Sequence, residues 1–332
     1  MANVLLTEKC VRACPYCFAK KHMEDSESNM LTWDNLIYIA DFLEISHESN
    51  VSLLGGEPTL HPQFVDFTTY LLERNFHVNV FTSGILSDER LQEASQFLGN
   101  ASPEKLSFTC NMNHPDISTS RELEKVDKFL RIFGHFTTPG FNLYQTSFDI
   151  NFILQNINKY NLKRHVRIGL SHPIPGEANS FIPIKEMKKM ARNFISYLPI
   201  FDRLKIAPGF DCGMPMCIFN EKQLGILYKV CNRNLQFGCG PAVDIGPDMM
   251  VWSCFPLSDF NKKSLYDFNS IQDIVKFYQK LHNKIRIEIG GIFEECDDCQ
   301  YRDKELCLGG CIAHIINGFK NEAAVRPKEV YL

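Results

Sequence analysis

The spacing Cys10-Val-Arg-Ala-Cys14-Pro-Tyr-Cys17, read as C-x3-C-x2-C, constrains this chain more than any other stretch. Three thiolates this close can bind three irons of a [4Fe–4S] cube and leave the fourth iron without a protein ligand. An iron with an open position can hold a substrate or cofactor, as an open catalytic zinc does. The blander alternatives fit less well. A zinc site asks for a fourth local ligand, and His22 is the only candidate nearby. A disulfide scaffold asks for pairs, and here there are three cysteines.

A second motif, Gly55-Gly56-Glu57-Pro58, follows the apolar run at 51–54. Alone it is ordinary strand-exit punctuation. Placed after C-x3-C-x2-C, it makes the first 60 residues resemble the radical S-adenosylmethionine (radical SAM) superfamily, and the order of strands and helices fits to about residue 200. The resemblance implies a [4Fe–4S] cluster on Cys10, Cys14 and Cys17. It also implies that the amino and carboxylate groups of S-adenosylmethionine chelate the free iron. The Gly55-Gly56-Glu57-Pro58 segment would then hydrogen-bond the amino group, and Tyr16 would lie near the adenine.

The chain's 332 residues are enough for two domains. A net charge of −4 with no run of like charge gives no sign of nucleic acid or an anionic membrane as partner. The amino end lacks a signal peptide's apolar stretch, and no segment is apolar enough to span a membrane, so the expected location is cytoplasmic. In that compartment thirteen cysteines are many, and disulfides are disfavoured. Ten cluster at ligand-like spacings, for which metal or cluster ligation is the economical account and implies a reducing host.

Read in order, apolar patterning predicts strands at 4–7, 51–54, 76–81, 106–110, 148–152 and 166–170. Helices are expected from Thr32, a candidate N-cap, to about 47, and then at 61–73, 87–97, 120–134, 154–162 and 184–197. Such alternation implies a parallel sheet with crossover helices. Six units rather than eight suggest an α/β fold in the form of a partial (β/α)6 barrel of radical SAM type over residues 1–200. A small cysteine-rich domain, 201–332, would follow. Thr82-Ser83-Gly84 resembles the family's third-strand exit. Ser83 and Asn111 are candidate cofactor contacts, although a turn or capping role explains either equally well. The Pro/Gly-rich stretch 172–183 reads as a connection over the barrel mouth.

From residue 212 on there are nine cysteines in 100 residues. Cys239 and Cys254 sit at the ends of an expected hairpin with Gly246-Pro-Asp at its turn. Cys296-x2-Cys299-x7-Cys307-x3-Cys311 contains Gly309-Gly310, which permit close backbone approach. Taken alone, those last four cysteines would suit a zinc knuckle as well as a cluster. Joined to a radical SAM core, the layout at 230–311 resembles the SPASM extension with two auxiliary [4Fe–4S] clusters. By that resemblance Cys231, Cys239, Cys254 and Cys311 hold the first, and Cys296, Cys299 and Cys307 supply three ligands to the second. The chain departs from the pattern in two places. Seven residues separate Cys299 from Cys307 where the family usually has five, and no cysteine follows Cys311. Asp211-Cys212-Gly-Met-Pro-Met-Cys217 is the natural source of the missing ligand, with Cys217 counted among the metal ligands. A thiol of Cys212 or Cys217 left over could donate hydrogen to a substrate radical, or both could be buried fillers.

The resemblance implies reductive cleavage of S-adenosylmethionine to a 5′-deoxyadenosyl radical that abstracts hydrogen from a substrate. It also implies a flavodoxin- or ferredoxin-type electron donor. The leading expectation is maturation of a ribosomally made peptide by crosslinking, thioether formation or epimerisation. Only three residues precede the first strand, so leader recognition would need a separate protein. The alternatives are a dehydrogenase resembling anaerobic sulfatase maturases, or one acting on a small molecule. More remote is a zinc-stabilised binding module, since zinc leaves the N-terminal triplet unexplained.

Overall fold

The computed structural model describes residues 2–19, 29–211, 213–231, 235 and 237–323. Seven strands run parallel, each paired with the next: β1 (Ala2–Leu5), β2 (Asn50–Leu54), β3 (His77–Thr82), β4 (Leu106–Asn111), β5 (Thr137–Leu143), β6 (His165–Leu170) and β7 (Ala207–Phe210). Parallel pairing needs crossovers. These are α1 (Trp33–Ile45), α2 (Phe64–Glu73), α3 (Asp88–Leu98), α4 (Ser120–Phe133), α5 (Asn151–Lys159) and α6 (Met187–Leu204). Thr32 caps α1 as its sequence suggests, its hydroxyl accepting the N–H of Asn35 at 3.2 Å.

The two faces of the sheet have different chemistry, and that difference positions the site. Val78, Val80, Leu106 and Phe108 point to the helices and are buried. The Phe108 ring meets Phe129 and Phe133 of α4 at 5.4 and 4.9 Å. Each such ring taken from water contributes about 1.5–3 kcal/mol. The other face carries a polar row in register: Asn3, Ser52, Asn79 and Ser107. Asn79 Oδ1 accepts from Ser107 Oγ (3.0 Å) and Thr109 Oγ1 (3.2 Å).

Two sequence expectations need correcting. The strand expected at 148–152 lies instead at Thr137–Leu143, and α5 begins at Asn151. Pro139 and Gly140 disguise β5, because proline and glycine ordinarily punctuate a strand. Gly140 is needed here: a Cβ on it would stand 2.5 Å from Asn111 Oδ1. The second correction concerns extent. The last crossover helix runs to Leu204, past the boundary drawn at 200, and β7 adds a seventh parallel strand beyond it.

The C-terminal part is continuous with this sheet. The expected hairpin is β8 (Asp244–Ile245) and β9 (Met250–Trp252), closed by Gly246 N donating to Met250 O at 2.8 Å. β8 pairs in parallel with β1, and β10 (Lys263–Ser264) with β9, giving the order β10-β9-β8-β1-β2-β3-β4-β5-β6-β7. After α7 (Glu221–Val230), the long helix α8 (Ile271–Glu288) starts against the barrel, where Ile271 N donates to Ser46 Oγ (3.0 Å). It is fastened to the hairpin by Tyr278 Oη donating to Val251 O (2.7 Å). The short helix α9 (Gln300–Asp303) and α10 (Ile312–Ala323) complete the chain. Among the described residues no helix is long and apolar enough to cross a membrane.

Candidate active site

The two N-terminal motifs are joined backbone to backbone. As β1 ends, Thr7 O accepts the N–H of Gly56 (2.9 Å) and Lys9 O accepts that of Glu57 (2.7 Å). A Cβ on Gly55 would stand 2.3 Å from Thr7 O, and one on Gly56 would stand 2.2 Å from Lys9 O. Gly55 also has φ +154°. Both glycines are therefore required by close approach. What they allow is that the loop carrying Cys10 and the exit of β2 lie in contact.

Glu57 is a hub rather than an open ligand. It is 1% exposed. Its Oε1 accepts from the hydroxyls of Thr82 (2.7 Å) and Thr59 (2.8 Å), and its Oε2 from Ser83 N (2.7 Å) and Ser83 Oγ (2.6 Å). The carboxylate thus ties the exit of β2 to that of β3. Ser83 spends its donors on Glu57, so its side chain acts here as a brace. Pro58 opens a short 3-10 turn, Pro58–Leu60, capped by the same Glu57.

In the cysteine loop each sulfur accepts one N–H: Cys10 from Arg12 N (3.5 Å), Cys17 from Ala19 N (3.4 Å) and Cys14 from Asn113 Nδ2 (3.7 Å). Burial, the Glu57 charge and the neighbouring Cys17 and Cys14 push the Cys10 thiol up to about 11. Asn113 also accepts the Tyr16 hydroxyl at 2.8 Å, and Tyr16 stacks on Tyr144 with centroids 5.0 Å apart. Beside this pair opens a cleft lined by Tyr16, Asn113, His114, Asn142, Tyr144 and Asp149. Arg12 reaches across to donate to Asn111 O (3.0 Å) and lies 3.5 Å from Glu122, whose other oxygen completes the capping box of α4. Asn111 Oδ1 in turn accepts from Arg167 (3.2 Å), which pairs with Asp211 just past β7.

Seven of the eight described C-terminal cysteines fall into two groups, and Cys231 is buried apart from them in the main core. Cys239, Cys254 and Cys311 share one small cluster with Ile312, Leu257 and Ile285. A hydrogen bond with Cys311, with help from Ile312 N–H and Arg286, pulls the Cys239 thiol down to about 6. Cys231 is fully buried, and burial pushes it up to about 12. In the other group, burial and then the charges of Cys296, Cys307 and Cys299 push Cys217 up to about 11. Glycines let the loops close around both groups. A Cβ on Gly213 would meet Cys239 Cβ at 2.9 Å, and one on Gly291 would meet Cys296 Cβ at 2.4 Å. Among the described residues no three His, Cys, Asp or Glu side chains converge as a bare ion would need. A cube instead asks its ligands to stand apart around it. Cys212 and His22 lie outside the described residues. Cys110 is a buried filler of β4.

Sequence reading misses Asn113, Tyr144, Arg167 and Arg286. No motif marks them. Only the exits of β4 and β5, with β5 placed correctly, point to Asn113 and Tyr144.

Residues 4–133 match the family profile described as "Radical SAM superfamily". Over that stretch the chain is similar to the radical SAM superfamily. The chain is 36% identical over 94 residues to a tungsten-containing aldehyde ferredoxin oxidoreductase cofactor-modifying protein of Pyrococcus furiosus, covering 27% of this chain and 26% of that one. It is 33% identical over 91 residues to the PqqA peptide cyclase of Gluconobacter oxydans, covering 27% and 25%. The match thus spans about a quarter of the length of these curated relatives. In fold it is similar to Streptococcus suis SuiB bound to S-adenosylmethionine, with a TM-score of 0.64 and 13% identity over 94% of this chain and 73% of that one.

Proposed function

We propose that this chain is a radical SAM enzyme that modifies a peptide. The observation that carries the reading is the junction of the Cys10–Cys17 loop with Gly55-Gly56-Glu57, beside the Tyr16–Tyr144 cleft. Cys10, Cys14 and Cys17 would hold a [4Fe–4S] cluster: three sulfurs, each steadied by one N–H, suit a group whose potential depends on hydrogen bonds to sulfur. When bound, that cluster would supply one electron to the sulfonium of S-adenosylmethionine, and the radical so made would take hydrogen from an unactivated C–H.

The chain's own residues bind, orient and exclude water. The carbonyls of Gly55 and Gly56 would meet the cofactor's amino end, because the Glu57 carboxylate is saturated and the N–H groups of Gly56 and Glu57 are spent on Thr7 and Lys9. Tyr16 offers an aromatic wall for the adenine. Asn111, held by Arg167, stands on the polar inner face where a ribose or a substrate amide would lie. Cys231, Cys239, Cys254 and Cys311 would hold one auxiliary cluster. Cys296, Cys299 and Cys307 would hold a second, with Cys217 as the fourth ligand that the sequence otherwise lacks. The role of spare thiol then falls to Cys212.

A peptide substrate is supported by association: one relative is named a PqqA peptide cyclase, and SuiB is known bound to its precursor peptide SuiA. An electron donor of flavodoxin or ferredoxin type and a separate leader-recognition protein belong to the same reading. The test is anaerobic incubation of reconstituted protein with S-adenosylmethionine, dithionite and candidate peptides, read by mass spectrometry. The protein should form 5′-deoxyadenosine, and the Cys14→Ala variant should form none above the protein-free control. Equal production by that variant would sink the assignment.

A further inference from the structure

Arg286, in the last turn of α8, is 6% exposed, yet among the described residues it pairs with no carboxylate. Burying an unpaired cation costs several kcal/mol, so a buried guanidinium ordinarily faces an anion. Two carbonyls fix its plane: Nε donates to Leu308 O at 3.1 Å, and Nη2 donates to the carbonyl of Cys239. Its Nη1 is buried and donates to no described atom. Both carbonyls belong to cysteine loops: one is that of Cys239 itself, and Leu308 lies three residues before Cys311. The neighbouring Arg302 differs. It donates to Arg286 O (2.8 Å) and Cys296 O (3.2 Å), and its charge is met by Asp297 at 3.5 Å. One cysteine group therefore has a buried cation reserved for it, while the cation beside the other is already neutralised.

We propose that Arg286 is the counter-cation of the auxiliary cluster held at Cys239 and Cys311. Its fixed positive charge and one unspent donor raise that cluster's reduction potential. The inference rests on the cluster reading above. A reduced cluster carries one more negative charge than an oxidised one, so a buried cation favours reduction, as does a hydrogen bond to sulfur. Arg286 acts through the cluster and is a positioning residue. Arg286→Lys keeps a positive charge of similar reach without the planar fork, and Arg286→Gln removes the charge.

The experiment compares anaerobically purified wild type, R286K, R286Q and C239A by iron content and by redox titration followed by electron paramagnetic resonance. C239A should lose one cluster's irons and signal, which identifies the signal to follow. The midpoint of that signal should fall in R286Q and stay near wild type in R286K. Loss of those irons in R286Q with retention in R286K also supports the inference. An unchanged midpoint in iron-replete R286Q overturns it, as does equal iron loss in both variants, since that marks a packing role. If C239A keeps every iron, the cluster reading fails first and takes the inference with it.

Discussion

The cysteine loop at the amino end and the cysteine groups at the other end solve opposite electrostatic problems. Of the charges that act on the Cys10 thiol, those of Glu57, Cys17 and Cys14 push it up after burial has done so, while the loop's own cation, Arg12, is met by Glu122. Around Cys239 a hydrogen bond from Cys311, a main-chain N–H and the guanidinium of Arg286 pull the thiol down. A site that is to admit a cationic sulfonium gains from surplus negative charge. A closed site has no incoming partner to neutralise it and carries its own cation. The supports differ in the same way. The first loop leans on a main-chain junction that only glycines permit, whereas the second groups are enclosed by loops drawn from four distant stretches.

If that contrast is right, the two regions should fail separately. The largest effect is expected at the closed end. The double variant Cys217→Ala/Cys299→Ala, which leaves that cluster two thiolates, should have about four fewer irons per chain while 5′-deoxyadenosine formation persists. Unchanged iron would break the grouping of Cys217 with Cys296, Cys299 and Cys307. Next comes Gly56→Ala, whose new methyl would stand 2.2 Å from Lys9 O. The junction must then open, with a stability loss of about 3 kcal/mol and S-adenosylmethionine binding weakened at least about tenfold. Both are measurable, by chemical denaturation and by equilibrium dialysis, and auxiliary iron should stay. A variant that binds normally would show that close approach is dispensable.

The smallest effect lies where the regions meet. Burial pushes the Asp244 carboxyl up to about 7 from an ordinary value of 3.8, and its Oδ1 accepts from Asn3 of β1 at 2.6 Å. The folded state thus keeps a proton that the unfolded chain releases. Its contribution is complete below about pH 3.8 and is lost as pH rises through about 7. Asp244→Asn should match wild type near the acid end of that window. At mildly alkaline pH it should be more stable than wild type, since each unit by which a pKa is raised costs about 1.4 kcal/mol once the group must ionise. Denaturation midpoints that stay parallel across the window would exclude a proton-linked seam.

Much of this is legible in the chain. The cysteine triplet, the glycine pair and five of the parallel strands announce themselves, because ligand spacing and apolar runs are local signals. The fifth strand is not legible, since Pro139 and Gly140 owe their place to the Asn111 side chain from another strand. The motif presents Glu57 as a cofactor contact, but three of its five hydrogen bonds, those from Thr82 and Ser83, depend on a strand exit 25 residues away. Arg286 carries no motif at all; only folding brings a helix end beside two cysteine loops.

The parallel pairing of β8 with β1 has one more consequence. The outer rim of the first strand would otherwise present unsatisfied amides and carbonyls, an invitation for another molecule to add on. The hairpin between Cys239 and Cys254 covers that rim, so the stretch that looks like an appendage serves as a selvedge for the whole cloth. Cutting the chain after the barrel should therefore yield a self-associating fragment rather than a tidy smaller enzyme.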